Sequence, residues 1–128
     1  MISITRGQAN TFDVTLTEKT LLSAPVYLFR FTNEASNTQN TCIATDSSSY
    51  TRRYNRFTIT ESTSENRTNA TLTLAYGGFW RYEIYEQTST SDLVVGTQNK
   101  VEDGICQVTD SAVLDTYISQ SNNDTYVE

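Results

Sequence analysis

The stretch GFWRYEIYEQ, residues 78–87, alternates two kinds of side chain with a period of two. Successive side chains of an extended chain point to opposite faces, so each kind belongs to one face of a predicted strand. One face carries three large apolar side chains: Trp80, Tyr82 and Ile84. The other face mixes aromatic and charged side chains: Phe79, Arg81, Glu83 and Tyr85. This pattern predicts a central strand with its first face in a hydrophobic core.

Similar alternation recurs at short intervals along the chain. VYLFRF at residues 26–31 is apolar on most of both faces and follows Pro25, which predicts a second buried strand. Alternation along these two strands predicts that most of their aromatic side chains join the core; the group is Tyr27, Phe29, Phe31, Phe79, Trp80, Tyr82 and Tyr85. Further strands are predicted at residues 2–5, 12–16, 41–45, 57–59, 72–74, 93–98 and 105–109. About seven to nine short strands in one chain are typical of an all-β antiparallel β-sandwich.

Two glycine-containing dipeptides lie between predicted strands. Gly77-Gly78 separates two strand patterns, and Asp103-Gly104 separates two short apolar runs. Such dipeptides supply the positive φ angles of a tight turn, so each predicts a β-hairpin. A chain of 128 residues suits one domain, and the sandwich is predicted to span residues 1–109.

Residues 110–128 are predicted to form an acidic C-terminal segment. The first 100 residues carry nine acidic and nine basic side chains, whereas residues 101–128 carry six acidic ones and none that are basic. The whole net charge of −6 therefore arises in this last part. Apolar residues at helical spacing follow Asp110, a residue type that caps helices, which predicts a short helix over Asp110–Ser119. Two interpretations stay open: a solvated tail, or an arm that docks on a basic partner surface.

The composition argues against catalysis. The chain has no His, so it cannot build a Ser-His-Asp or Cys-His arrangement. Glu83 and Glu86 are an odd number of positions apart on one strand, so they are predicted to point to opposite faces as surface charges. No metal-ligand spacing and no phosphate-binding glycine loop is present. We expect a protein that is not an enzyme and needs no cofactor.

The sequence carries no secretory signal and no apolar run near the roughly 18 residues that a membrane-spanning helix needs. We therefore expect a protein that is made and kept in a cytoplasm, or that travels in something assembled there, with no membrane partner. In that reducing compartment Cys42 and Cys106 are predicted to be free thiols that pack as small apolar groups.

One basic cluster stands out: Arg52, Arg53, Tyr54 and Arg56. A single such cluster in an acidic chain is a weak nucleic-acid footprint, so no nucleic-acid partner is expected. Arginine and tyrosine are enriched where protein interfaces carry their energy, so these four are the candidate protein-contact residues, at a predicted loop tip. A purely structural loop is the open alternative. Glycan binding would need an aromatic ring on the outer surface, such as Tyr50 or Tyr85.

Three parts of the chain, taken in order, resemble small structural virion proteins of tailed bacteriophages, especially the crAss-like phages of gut Bacteroidales. The parts are LTEKT followed by VYLFRFTN (residues 16–20 and 26–33), RYNRF (residues 53–57) and GFWRYEIYEQ (residues 78–87). The tyrosine-rich strand that ends in YEQ is the most specific part of this resemblance, which spans residues 10–100. The acidic C-terminal segment departs from the family pattern.

The resemblance implies an immunoglobulin-like β-sandwich that is an auxiliary, decorating protein on the outside of a phage capsid. Its implied partners are the major capsid protein and head-fibre proteins, and its implied location is a virion assembled in the bacterial cytoplasm. It would stabilise the capsid or anchor head fibres as part of a large assembly. Two alternatives stay open: a neck or tail structural protein of the same particle, and a glycan-binding module.

Overall fold

The computed structural model describes residues 1–50 and 53–110. Within them the chain forms eight β-strands and two short 3₁₀ turns, Thr17–Lys19 and Arg67–Asn69. The strands are β1 (Ile2–Thr5), β2 (Ala9–Val14), β3 (Val26–Asn33), β4 (Gln39–Ala44), β5 (Asn55–Glu61), β6 (Thr71–Leu72), β7 (Gly78–Gln87) and β8 (Asn99–Thr109). The helix predicted over Asp110–Ser119 and the rest of the acidic segment lie outside the described residues, apart from Asp110.

The strands form two sheets that enclose one core, which confirms the predicted all-β sandwich. The larger sheet has the strand order β1-β8-β7-β3-β4 and the smaller sheet the order β2-β5-β6. Placing β2 and β5 opposite β3, β7 and β8 is the arrangement of immunoglobulin-like sandwiches. The four central pairs are antiparallel, as predicted, whereas the edge pairs β1–β8 and β5–β6 are parallel. Neither pair is joined by a tight turn, the connection that would force antiparallel pairing.

Aromatic rings on the inward faces fill the core. The Phe57 ring lies 5.0 Å from the Phe29 ring and 5.5 Å from the Tyr27 ring, both in edge-to-face geometry. The predicted core residues of the two main strands are buried: Tyr27, Phe29, Phe31, Trp80, Tyr82 and Ile84. Phe79 is the exception, with 56% of its surface exposed. Its ring lies on the outward face near the start of β7, where part of it reaches solvent.

The outward face of the larger sheet is partly covered as well. Leu28, Ile43 and Tyr85 form a second buried cluster, and Leu93 and Val95 of the following connection pack against it. The strand predicted at residues 93–98 is therefore wrong. These apolar side chains cover a sheet face as part of a loop instead of pairing with a neighbouring strand.

Neither predicted glycine hairpin forms. Asp103-Gly104 lies within β8, where Gly104 pairs with Tyr82 of β7. A Cβ atom at Gly104 would lie 2.8 Å from Cε2 of the Tyr82 ring, so glycine is needed here for close packing and not for a turn. Gly77-Gly78 carries the chain from the smaller sheet to the larger one, with Gly78 at a φ of 107°. The positive φ angle was predicted correctly, but the hairpin was not.

Replacing Gly104 by Ala is expected to lower the free energy of unfolding by about 2 kcal/mol, because the added methyl group must displace the buried Tyr82 ring. Gly96→Ala is the matched control, since its Cβ would meet only Gln98 Oε1 at an ordinary 3.6 Å. Urea denaturation of both variants checks this. Equal stabilities would contradict the packing described for Gly104.

Candidate functional site

Three connections meet at one end of the sandwich: residues 15–25, residues 45–54 in their described part (45–50 and 53–54), and residues 88–98. They converge because the strand ends are in register; Val26 at the start of β3 pairs with Gln87 at the end of β7. We call this region the three-loop end. In immunoglobulin variable domains, loops at one end of the same kind of sandwich form the binding surface. Buried polar side chains at the strand ends hold each connection in place here.

The carboxylate of Glu86 fixes the connection at residues 15–25. Its Oε1 accepts hydrogen bonds from the backbone N–H groups of Leu21 at 3.0 Å and Leu22 at 2.8 Å, and its Oε2 accepts one from Asn99 Nδ2 at 2.6 Å. Burial alone would raise the pKa of Glu86, but these hydrogen bonds lower it below its usual value. The ionised carboxylate therefore pins a loop to the end of β7.

The two glutamates of β7 differ in their surroundings. Glu83 receives a hydrogen bond from Arg30 Nε at 2.8 Å and lies 3.7 Å from Lys100 Nζ. Glu86 is buried, with 3% of its surface exposed, so its prediction as a surface charge is wrong. The physical reason is that the backbone N–H groups of a folded-over loop need an acceptor at this strand end.

Two glutamine side chains hold the connection at residues 88–98. Gln87 Nε2 donates to the carbonyl oxygens of Ser89 at 3.0 Å and Asp92 at 2.9 Å. Gln98 Nε2 donates to Gln87 Oε1 at 3.0 Å and to the carbonyl oxygen of Val94 at 2.8 Å. This loop therefore has a defined shape although it contains no regular secondary structure.

Asn55, which is buried at the start of β5, joins two loops. Its Oδ1 accepts hydrogen bonds from the backbone N–H of Leu16 at 2.7 Å and of Thr17 at 3.3 Å. Its Nδ2 donates to Asp46 Oδ2 at 2.6 Å, and Asp46 Oδ1 accepts the N–H of Ser48 at 2.9 Å. Residues 15–25 and 45–54 are thus tied to each other as well as to the sheet.

The candidate contact residues lie at or beside this end. Arg53 is exposed in a turn, Tyr54 precedes β5, and Arg52 lies outside the described residues. Arg56 belongs to β5, so its predicted position at a loop tip is wrong. Its guanidinium forms two hydrogen bonds with the carboxylate of Asp13, at 2.8 and 3.1 Å, and lies over the Tyr54 ring at 5.2 Å. These partners orient Arg56 along the strand surface, whereas Arg53 is exposed in its turn.

The connections at the three-loop end also expose apolar side chains that the sequence patterns did not single out together. Leu21 is 82% exposed, Val94 72% and Tyr50 65%. Each belongs to a different one of the three connections, so only the folded structure shows that they share one end. Of the two aromatic residues considered for glycan binding, Tyr50 is exposed and Tyr85 is buried.

The opposite end carries an aromatic cleft of about 450 Å³ between Tyr76 and Phe79, with the Gly77 and Gly78 backbone between them. Both rings are more than half exposed. The Trp80 indole N–H donates to the carbonyl oxygen of Tyr76 at 2.9 Å, which fixes the backbone beside the cleft.

The two thiols of the chain are buried in the core and are not activated. Both cysteines are free and buried, as predicted, and burial raises the pKa of Cys42 and of Cys106 to about 12, which keeps the thiols protonated. Residues 1–50 and 53–110 contain no group of three or more side chains arranged to hold a metal ion. No helix in the same ranges is long and apolar enough to cross a membrane.

No protein-family model matches the sequence, and no curated protein matches it. Among solved structures, the chain is similar in fold to part of a provisionally assigned glycoside hydrolase from Bacteroides vulgatus ATCC 8482. The TM-score is 0.46 with 10% sequence identity, and the match covers 87% of this chain. This chain spans 17% of that protein's length.

Proposed function

We propose that this chain is a non-enzymatic structural protein of a tailed-bacteriophage particle, an auxiliary protein bound to the major capsid protein. In this proposal it stabilises the capsid or anchors head fibres, and it docks through the three-loop end. The observation that carries the docking surface is the combination of loops held by buried Glu86, Gln87 and Asn55 with exposed apolar side chains on all three. The resemblance to phage structural proteins supports the kind of partner.

The held loops favour binding on energetic grounds. Ordering a flexible side chain or loop at an interface costs about 0.5–1.5 kcal/mol for each immobilised side chain. The hydrogen bonds that Glu86, Gln87 and Asn55 make with the loops are already formed in the free chain. The entropy of ordering these loops is therefore lost on folding and not on binding. Burying Leu21 and Val94 against a partner would then contribute hydrophobic free energy without reorganisation.

The double variant Arg52→Ala/Arg53→Ala is expected to weaken association with purified particles about tenfold without unfolding the domain, since arginine is often an interface anchor. Co-sedimentation with particles stripped of the native protein measures this. Arg67→Ala/Arg81→Ala is the control, because it removes the same charge away from the three-loop end. If both double variants associated equally well with the particles, Arg52 and Arg53 would have no role in docking.

A neck or tail protein of the same particle would use the same surface. The number of copies per particle distinguishes such a protein from one that decorates the capsid.

A second candidate function, glycan binding, is favoured by the aromatic cleft, since exposed rings such as Tyr76 and Phe79 can stack on sugar rings. A glycan array tests it directly. Specific binding that is lost in Tyr76→Ala but kept in Tyr50→Ala would favour this candidate over docking at the three-loop end.

A further inference from the structure

A pocket of about 360 Å³ opens between residues 15–25 and 45–54 at the three-loop end. This volume lies in the range of small-ligand sites. Leu22, Pro25 and Tyr27 supply its apolar lining. The remaining lining is polar: Thr17, Thr20, Ser23, Asp46 and Asn55. The pocket thus combines an apolar wall with a carboxylate.

The pocket has a negative electrostatic character. Burial alone would raise the pKa of Asp46, but hydrogen bonds from Ser48, Asn55 and the Arg56 backbone lower it below its usual value, so Asp46 is ionised at neutral pH. Burial raises the pKa of Tyr27, and the negative charges of Asp46 and Glu86 raise it further.

No cation offsets these charges in the described part of the chain. Its ion pairs use other carboxylates, those of Asp13, Glu34, Glu83, Glu102, Asp103 and Asp110. Arg56, whose backbone N–H contacts Asp46, directs its guanidinium to Asp13 instead. An ionised carboxylate beside an apolar wall favours a ligand that carries both a positive charge and a hydrocarbon stem.

We propose that this pocket receives a Lys or Arg side chain from a protein partner. The hydrocarbon stem lies along Leu22 and Pro25, and the cationic group binds the carboxylate of Asp46, with the hydroxyl groups of Thr20 and Ser23 as further acceptors. The partner segment at this point is therefore basic. Only the identification of that partner as the capsid protein rests on the proposed function.

A titration of the full-length, ¹⁵N-labelled chain with N-acetyl-lysine methylamide tests the pocket without any particle. We expect saturable amide shifts at Thr20, Leu22 and Ser23 with a Kd of about 1–10 mM, the affinity range of a single small contact. The ε-acetylated form of the same probe, which has no charge, is expected to bind at least about fivefold more weakly. This comparison uses only the native chain, so it holds even if a variant fails to fold.

Asp46→Asn is expected to reduce lysine-probe binding at least about fivefold, since it removes the charge but keeps an acceptor for the N–H of Ser48. Asp92→Asn is the charge-matched control, because Asp92 lines the neighbouring cavity with Val94. Equal binding of charged and neutral probes, or no saturable shift, would overturn the pocket proposal. These probe titrations test the pocket alone. Association with particles is measured separately, with the Arg52→Ala/Arg53→Ala variant.

Discussion

Glu86→Ala is expected to lower the free energy of unfolding by about 3 kcal/mol. The substitution leaves the N–H groups of Leu21 and Leu22 and the Asn99 amide without their acceptor in a partly buried setting. Each hydrogen bond to a charged group contributes about 1.5–3 kcal/mol, and water that enters the vacated space recovers part of this sum. Chemical denaturation at pH 7 provides the measurement.

Glu83→Ala is the matched control, because it removes the same charge from the same strand. Its ion pairs with Arg30 and Lys100 are closer to solvent, so a cost of about 1 kcal/mol is expected. If the two variants lost equal stability, Glu86 would not be the anchor of residues 15–25. Amide exchange at Leu21 and Leu22 should also accelerate in Glu86→Ala alone.

The lowered pKa of Glu86 also gives its contribution a defined pH dependence. A carboxylate whose pKa is lower in the folded than in the unfolded chain stabilises the fold fully above its ordinary value of 4.5. That contribution is lost as the pH falls through the lower folded pKa. The stability difference between the native chain and Glu86→Gln should therefore shrink as the pH falls from 7 to 3. A constant difference across this range would contradict the charged anchor.

Asn55→Ala is expected to cost about 3 kcal/mol and to loosen two loops together. The amide of Asn55 is the acceptor for Leu16 and Thr17 and the donor to Asp46, and its loss removes these hydrogen bonds at a buried site. Asn69→Ala, at an exposed position, serves as the control and is expected to be nearly neutral. Thermal unfolding and particle co-sedimentation below the transition are the two measurements.

Because the loops of Asn55→Ala are no longer held, its particle association should fall more than its folded fraction does. If the variant associates as well as the native chain while it is folded, preorganisation of the three-loop end contributes nothing to binding.

The strands and the core were largely predictable because burial on one sheet face imposes a period of two. Phe29 and Trp80 followed that pattern and are buried. The Asp103-Gly104 dipeptide does not form the tight turn that such a dipeptide usually indicates. Gly104 instead packs against the ring of Tyr82, which belongs to another strand. A dipeptide pattern contains no information about a contact that is 22 positions away in the sequence.

The candidate site was harder to predict, because its buried polar side chains form hydrogen bonds with backbone groups that are distant in the sequence. Glu86 accepts hydrogen bonds from residues 64 and 65 positions earlier, and neither partner is visible in the pattern of β7. Arg53 was placed correctly in a turn, whereas Arg56 is extended because β5 begins at Asn55. The alternation of buried Phe57 and Ile59 continues back by two positions to the buried Asn55, and this indicates that the strand begins there.

The central claim, that this chain is a structural component of a phage particle, is tested most directly by its copy number. Quantitative mass spectrometry of purified, salt-washed particles would count it against the major capsid protein. We predict a ratio on the scale of the capsid lattice; a ratio that fits a single ring would place it in the neck or tail. Absence of the chain from the particles would contradict the account.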